Sequence, residues 1–208
     1  MHGHTGMDAR DWDKRHADPE RRYSGGPSDL LVAEMSGLRP GFALDLACGQ
    51  GRHAVWLAAH GWNVTAVDFS AVALDKGRAL AKQDGVACEW VVADLIEYVP
   101  LPEAYDLVVI SYLHLPGAER RQILAKAEGA LAPGGTLLLV GLDRSNHEHG
   151  YGGPSNPSVL YNREDVVAAL PRLEIDRAAA HRRPVQTPEG ERIALDLLVR
   201  ARRPTSRA

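Results

Sequence analysis

Cysteine is nearly absent: Cys48 and Cys88 are the only two in 208 residues. One lies in a glycine turn and the other in an apolar stretch, which is no disulfide framework for a chain this long and fits a reducing, cytoplasmic setting. Long apolar runs are missing too, and nothing approaches the roughly 20 residues that a bilayer crossing needs. The opening stretch, Met1 to Arg22, is polar and has no apolar h-region, so no secretory signal is expected. Charge of one sign is not in excess either. Lys+Arg number 24 against Asp+Glu 27, a formal net charge of -3, which leaves no broad basic surface to neutralise a phosphate backbone. Neither nucleic acid nor a membrane is expected as a partner, and the late cluster Arg200, Arg202, Arg203 and Arg207 reads as a solvated chain end. Whether the chain is a monomer or a dimer is not legible.

What is present is the alternating rhythm of an α/β protein. Ser28 to Met35 places Leu30, Leu31 and Met35 at helical spacing behind Pro27, a lead-in helix. Phe42–Ala47, Asn63–Val67, Cys88–Ala93, Tyr105–Tyr112 and Gly135–Leu142 read as strands, and Arg52–His60, Ala71–Lys82 and Glu119–Leu131 as the helices among them. Near-continuous apolar runs such as DLVVISYL and GTLLLVGL suit a parallel sheet covered on both faces. After Pro171 the rhythm changes to two strand-like runs, Glu174–Ala180 and Arg192–Ala201, joined through Pro184 to Gly190. The expected architecture is a Rossmann-like, doubly wound, mostly parallel sheet of seven strands, closed by a C-terminal antiparallel hairpin. It would form a single domain over 27–208, preceded by an arm over 1–26.

In such sheets ligands bind beyond the carboxyl ends of the strands. The first strand runs out as Leu44-Asp45-Leu46-Ala47-Cys48-Gly49-Gln50-Gly51-Arg52-His53. The glycines let backbone approach a ligand closely, and the helix that follows offers unpaired N–H groups. The same glycines satisfy a permissive dinucleotide-binding pattern, so the turn does not choose a ligand by itself. Asp45 inside an apolar strand is costly unless a cation or a donor meets it; a pyrophosphate would repel it and an amino-acid ammonium would not. Asp68 ends the second strand, where a carboxylate can accept from both hydroxyls of a ribose. Asp94 ends the third, either to accept from an adenine amino group or to cap a following turn, with Phe69 and Leu95 placed to sandwich a ring.

Taken in order, LDLACGQGRHAVWLA, VTAVDFS, VVADL, YDLVVISYLHL and LAPGGTLLLV resemble the class I S-adenosylmethionine-dependent methyltransferases over about Leu44 to Leu142. The resemblance implies S-adenosylmethionine as cofactor, S-adenosylhomocysteine as product and a small-molecule acceptor. It implies that Asp45, Gly49 and Gly51 line the methionine end, Asp68 the ribose, and Asp94 with Leu95 the adenine, with Ala47, Cys48, Arg52, His53 and Phe69 as further cofactor contacts. Ser111 would lie beside the amino-acid portion and the methyl group. More narrowly, CGQGRHAVWLAAHGWNVTAVDFS with the early Trp12-Asp13-Lys14-Arg15 resembles the tellurite-resistance and thiopurine-type branch, whose members methylate small soft or heteroatom acceptors.

On the acceptor side, His114 and Tyr112 follow the fourth strand, where an imidazole can serve as a base or simply pack between Leu113 and Leu115. Trp12, Arg15 and Tyr23 can close over the cofactor as an ordered arm or simply pack the N-terminal segment against the domain. The segment from Asp143 to Tyr161 is long and rich in glycine, and it is expected to form a lid carrying Arg144 and Tyr151. No metal is expected, because His2 with His4 and His147 with His149 lack further ligands at fixed spacing. Two alternatives keep the same fold. A nicotinamide-dependent oxidoreductase is disfavoured by Asp45 and by the absence of a Tyr-x-x-x-Lys pair, and a non-catalytic cofactor-binding module would bind without turnover.

Overall fold

A computed structural model describes residues 8–18 and 26–205. Its seven strands form one sheet in the order β3-β2-β1-β4-β5-β7-β6: β1 Phe42–Leu46, β2 Asn63–Asp68, β3 Glu89–Val92, β4 Tyr105–Ser111, β5 Leu131–Leu142, β6 Glu174–Thr187 and β7 Gly190–Arg202. The chain gathers into two compact units along that sheet, Met1–Val99 and Pro100–Ala208.

In the first unit β1 pairs in parallel with β2, and β2 with β3. The unit also holds α1 Ala9–Ala17, α2 Asp29–Met35, α3 Arg52–Ala59 and α4 Ala71–Gln83. Two of these helices start where the sequence supplies a partner for a free amide: Asp8 accepts from Asp11 N at α1, and Ser70 Oγ from Ala73 N at α4. The entry to α3 is different, because Gly51 occupies the left-handed region at φ 73°. A Cβ there would stand 2.4 Å from the Trp90 ring, so glycine is required twice over.

The second unit pairs β4 with β5 in parallel, then β5 with β7 and β7 with β6 antiparallel. Leu107 to Ile110 and Leu137 to Val140 are at most 1% exposed. Burying each such side chain contributes about 1.5–3 kcal/mol, and this apolar double row explains why both strands were legible. The unit's helices are α5 Gly117–Ala130, α6 Asn146–His149 and α7 Arg163–Ala168.

Two expectations need correction. The hairpin strands are longer than their apolar runs. β6 continues through His181-Arg182-Arg183-Pro184-Val185-Gln186-Thr187 and meets β7 at Thr187↔Gly190, so only Pro188 and Glu189 form the turn. Arginines and a proline hide this strand in the sequence, yet it alternates half-buried and exposed positions, and proline is tolerated because β6 is the edge. Second, the segment from Asp143 to Tyr161 is not irregular throughout. It contains α6 and a short 3-10 turn, Pro157–Val159, and an isolated bridge joins Asp143 to Tyr161.

Candidate functional site

Asp45 is the last residue but one of β1 and is 0% exposed. Neither carboxylate oxygen has a hydrogen-bond partner among the described residues. Burial, reinforced by the negative charge of Asp68, pushes its pKa up to about 7; Arg52 and a weak pull from the Ala54 amide, short of a hydrogen bond, oppose this. An unsatisfied carboxyl in a strand core is costly, and such groups accumulate where a ligand completes them.

Beyond Asp45 the chain turns sharply, with Ala47 at φ 60°, Gly49 at φ 55° and Gly51 at φ 73°. Asp68 holds this turn from the end of β2. Its Oδ2 accepts from Gly49 N at 2.9 Å and its Oδ1 from Ser70 N at 2.9 Å. Burial nonetheless raises its pKa, the two amides only partly offsetting it. Two carboxyls held above their ordinary range at adjacent strand ends favour a cation and hydroxyl donors. Leu95 is buried, Phe69 half-buried and Asp94 exposed. Asp94 Oδ1 accepts from Ile96 N, and its carbonyl from Glu97 N and Tyr98 N, so it organises a turn with no helix following.

His53 is committed elsewhere. Its Nε2 accepts from Ser28 N at 3.2 Å, tying α3 to the start of α2, and burial lowers its pKa to about 3. Cys48 is buried, and burial holds its thiol well above the ordinary value; Cys88 rises to about 11 for the same reason. Neither thiol is a nucleophile near neutral pH.

Sequence reasoning missed what α1 contributes. Asp13 Oδ1 accepts from Ser70 Oγ at 2.6 Å and Val72 N at 3.3 Å, capping α4 from outside. His16, 4% exposed, takes the Gln50 side-chain amide on Nδ1 at 3.1 Å, and the Lys76 ammonium donates to its carbonyl. Trp12 lies 5.6 Å from the His16 ring and Arg15 5.3 Å from the Trp12 ring. The arm therefore reaches the glycine turn through His16 and the start of α4 through Asp13, not only through the bulkier residues that attract attention. The Asp13–Ser70 pairing spans 57 positions, and no local pattern announces it. Tyr23, like His2 and His4, lies outside the described residues.

In the second unit Ser111 ends β4, and Tyr112 follows in the left-handed region at φ 55°. The Tyr112 hydroxyl donates to Asp196 Oδ2 at 2.7 Å. His114 lies 6.3 Å from the Tyr112 ring, centroid to centroid, and its Nε2 accepts from Leu142 N at 3.1 Å. Burial, partly offset by Asp196, lowers the His114 pKa to about 4. Arg144 pairs with Asp165 at 3.4 Å, and Tyr151 is exposed. Asn146 bolts the segment down: its Oδ1 accepts from Leu195 N at 2.7 Å and its Nδ2 donates to Gly152 O at 2.9 Å. Among the described residues, no group of three or more His, Cys, Asp or Glu could hold a metal ion, and no helix is long and apolar enough to cross a membrane.

Residues 43–135, from β1 into β5, match a family model described as a methyltransferase domain. The ribosomal RNA small subunit methyltransferase C of Alcanivorax borkumensis is 36% identical over 124 residues, 54% of this chain and 37% of that protein. The demethylmenaquinone methyltransferase of Clavibacter sepedonicus is 38% identical over 109 residues, covering 52% and 42%. The chain thus spans well under half the length of these two relatives. Among solved structures, the N-methyltransferase NodS of Bradyrhizobium japonicum with S-adenosyl-L-homocysteine superposes with a TM-score of 0.73 at 19% identity, covering 94% of this chain and 98% of that one. TehB of Haemophilus influenzae gives 0.74 at 17% identity, covering 88% and 65%. The fold is that of the S-adenosylmethionine-dependent methyltransferases.

Proposed function

We propose that the protein is an S-adenosylmethionine-dependent methyltransferase that transfers the methyl group to a small-molecule acceptor. The observation that carries this reading is Asp45, a fully buried carboxyl with no partner among the described residues, on the strand that leads into the glycine turn. The matched methyltransferase domain supports it.

The residues present fit the cofactor. Asp45 would take its ammonium group. Asp68 uses one acceptor position on each oxygen for Gly49 and Ser70; a carboxylate oxygen has two lone pairs, so one on each remains for a ribose hydroxyl. The backbone of Ala47 to Gly51 and the start of α3 would line the methionine end, with Arg52 nearby, and Phe69, Asp94 and Leu95 would bound the adenine. The cofactor supplies an activated methyl on a sulfonium, so the protein has chiefly to align donor and acceptor and exclude water.

On the acceptor side we assign Tyr112 and His114, with Trp12, Arg15, Arg144 and Tyr151 as further contacts; Ser111 is assigned to the cofactor, beside its amino-acid portion and methyl group. His114 is neutral above about pH 4 and its Nε2 already holds the Leu142 amide. It therefore positions the wall of the site better than it removes a proton. That favours thiol, chalcogen or amine acceptors, which present a lone pair without a base, over hydroxyls. Membership of the tellurite-resistance and thiopurine-type branch is part of this proposal, supported by the likeness to TehB in fold. The relative named for ribosomal RNA raises a macromolecular acceptor; the net charge of -3 argues against it.

The test is S-adenosylhomocysteine release across thiols, selenite, tellurite, amines, phenols and ribosomal RNA. Turnover on a small soft or amine acceptor is expected. Turnover on RNA alone, or none on any acceptor by protein that binds the cofactor, would overturn the reading.

A further inference from the structure

We infer that Arg183, Asp196 and Tyr112 form a recognition site for an organic anion with a flat apolar body, an aryl carboxylate. Its role as the acceptor's docking point rests on the methyltransferase reading; the binding site itself stands on geometry.

Asp196 is 1% exposed on β7, directly across from Leu142 on β5 and His181 on β6. Side chains opposite one another in neighbouring strands share a face, so these three form one row. The Asp196 carboxylate accepts from Arg183 Nε at 2.6 Å, Arg183 Nη2 at 3.3 Å and the Tyr112 hydroxyl at 2.7 Å. That grip fixes one edge of the guanidinium, which lies over the Tyr112 ring at 5.4 Å. The Arg183 side chain nevertheless stays 40% exposed. A guanidinium has five donors, and two nitrogens are engaged by Asp196; the rest of the planar fork matches a carboxylate.

Half-buried Tyr112 and Val185 offer the apolar body a surface, and behind them Leu142, Leu160 and Ala194 form a buried cluster. His181, beside Asp196 in the same row, has its Nε2 buried with no partner among the described residues. A brace for the hairpin alone would not need a half-exposed cation, an unpartnered imidazole nitrogen and Tyr112 in the left-handed region on one patch. Because Asp196 offsets the charge of Arg183, discrimination comes from the shape of the fork rather than from net charge.

The experiment is a calorimetric titration of 4-hydroxybenzoate against its neutral counterpart 4-hydroxybenzamide, with and without saturating S-adenosylhomocysteine. The carboxylate should bind at least ten-fold tighter than the amide. Arg183→Lys, which keeps the charge and loses the fork, should lose most of that preference. The paired change Arg183→Gln with Asp196→Asn leaves no lone buried charge and should abolish it, with thermal stability and cofactor affinity close to the parent. Equal binding of the two probes, binding of neither, or an undiminished preference in the paired variant would overturn the inference. Failure of S-adenosylhomocysteine itself to bind would overturn the methyltransferase reading, a separate result.

Discussion

Replacing Asp45 by Asn should make the ligand-free protein more stable in mild alkali, although it damages the site. Asp45 titrates near 7 in the folded state against an ordinary 3.8, and a difference of that size is worth roughly 4 kcal/mol between the protonation states. The sign follows from the raised value. The folded state holds the proton more tightly than the unfolded chain, so the stabilisation is complete below about pH 4 and lost as pH rises through 7. Asn is isosteric and carries no charge to desolvate. Urea unfolding at pH 8 should therefore show Asp45→Asn gaining up to about 4 kcal/mol over the parent, less by whatever water penetration already relieves. The gain should shrink toward zero near pH 4. S-adenosylhomocysteine should reverse the order at pH 8, because only the parent can hold its ammonium. A stability difference that does not change between pH 4 and 8 would refute the claim that Asp45 is an uncompensated buried charge.

Asp68→Ala should weaken cofactor binding by about 1.5–3 kcal/mol for each charge-assisted bond lost, read by calorimetry on protein whose circular dichroism is unchanged. His53 and His114 have folded pKa values lowered to about 3 and about 4, so they favour the neutral fold. Their contribution is complete above pH 6.5 and lost as pH falls toward 4, and His114→Gln should flatten part of the acid limb of a thermal-denaturation profile. Asn146→Ala strands the Leu195 amide and should cost about 1–3 kcal/mol. If it instead leaves stability untouched while raising the acceptor KM, the segment from Asp143 to Tyr161 acts as a lid rather than as a fixed wall.

The elements that carried strong local signals were legible. The apolar runs of β1, β2, β4 and β5 stood out, and so did Asp45 and Asp68 near the ends of the first two, because burial on both faces demands such runs and makes any charge among them conspicuous. β6 was only half legible, since Arg182, Arg183 and Pro184 read as a loop although their alternation matches an edge strand. The commitment of His53 to Ser28, of Asn146 to Leu195 and of Asp13 to Ser70 was hidden, because each joins positions 25 to 57 apart. The Arg183–Asp196–Tyr112 cluster was hidden for the same reason. Asp196 sat inside the hairpin run 192–201, and only the register across β5, β7 and β6 reveals what surrounds it.

The central claim is tested most directly by equilibrium dialysis of the purified protein against radiolabelled S-adenosylmethionine and, in parallel, NAD. The account predicts saturable one-to-one binding of S-adenosylmethionine that Asp68→Ala weakens, and no binding of NAD. Saturable binding of NAD with none of S-adenosylmethionine would contradict it.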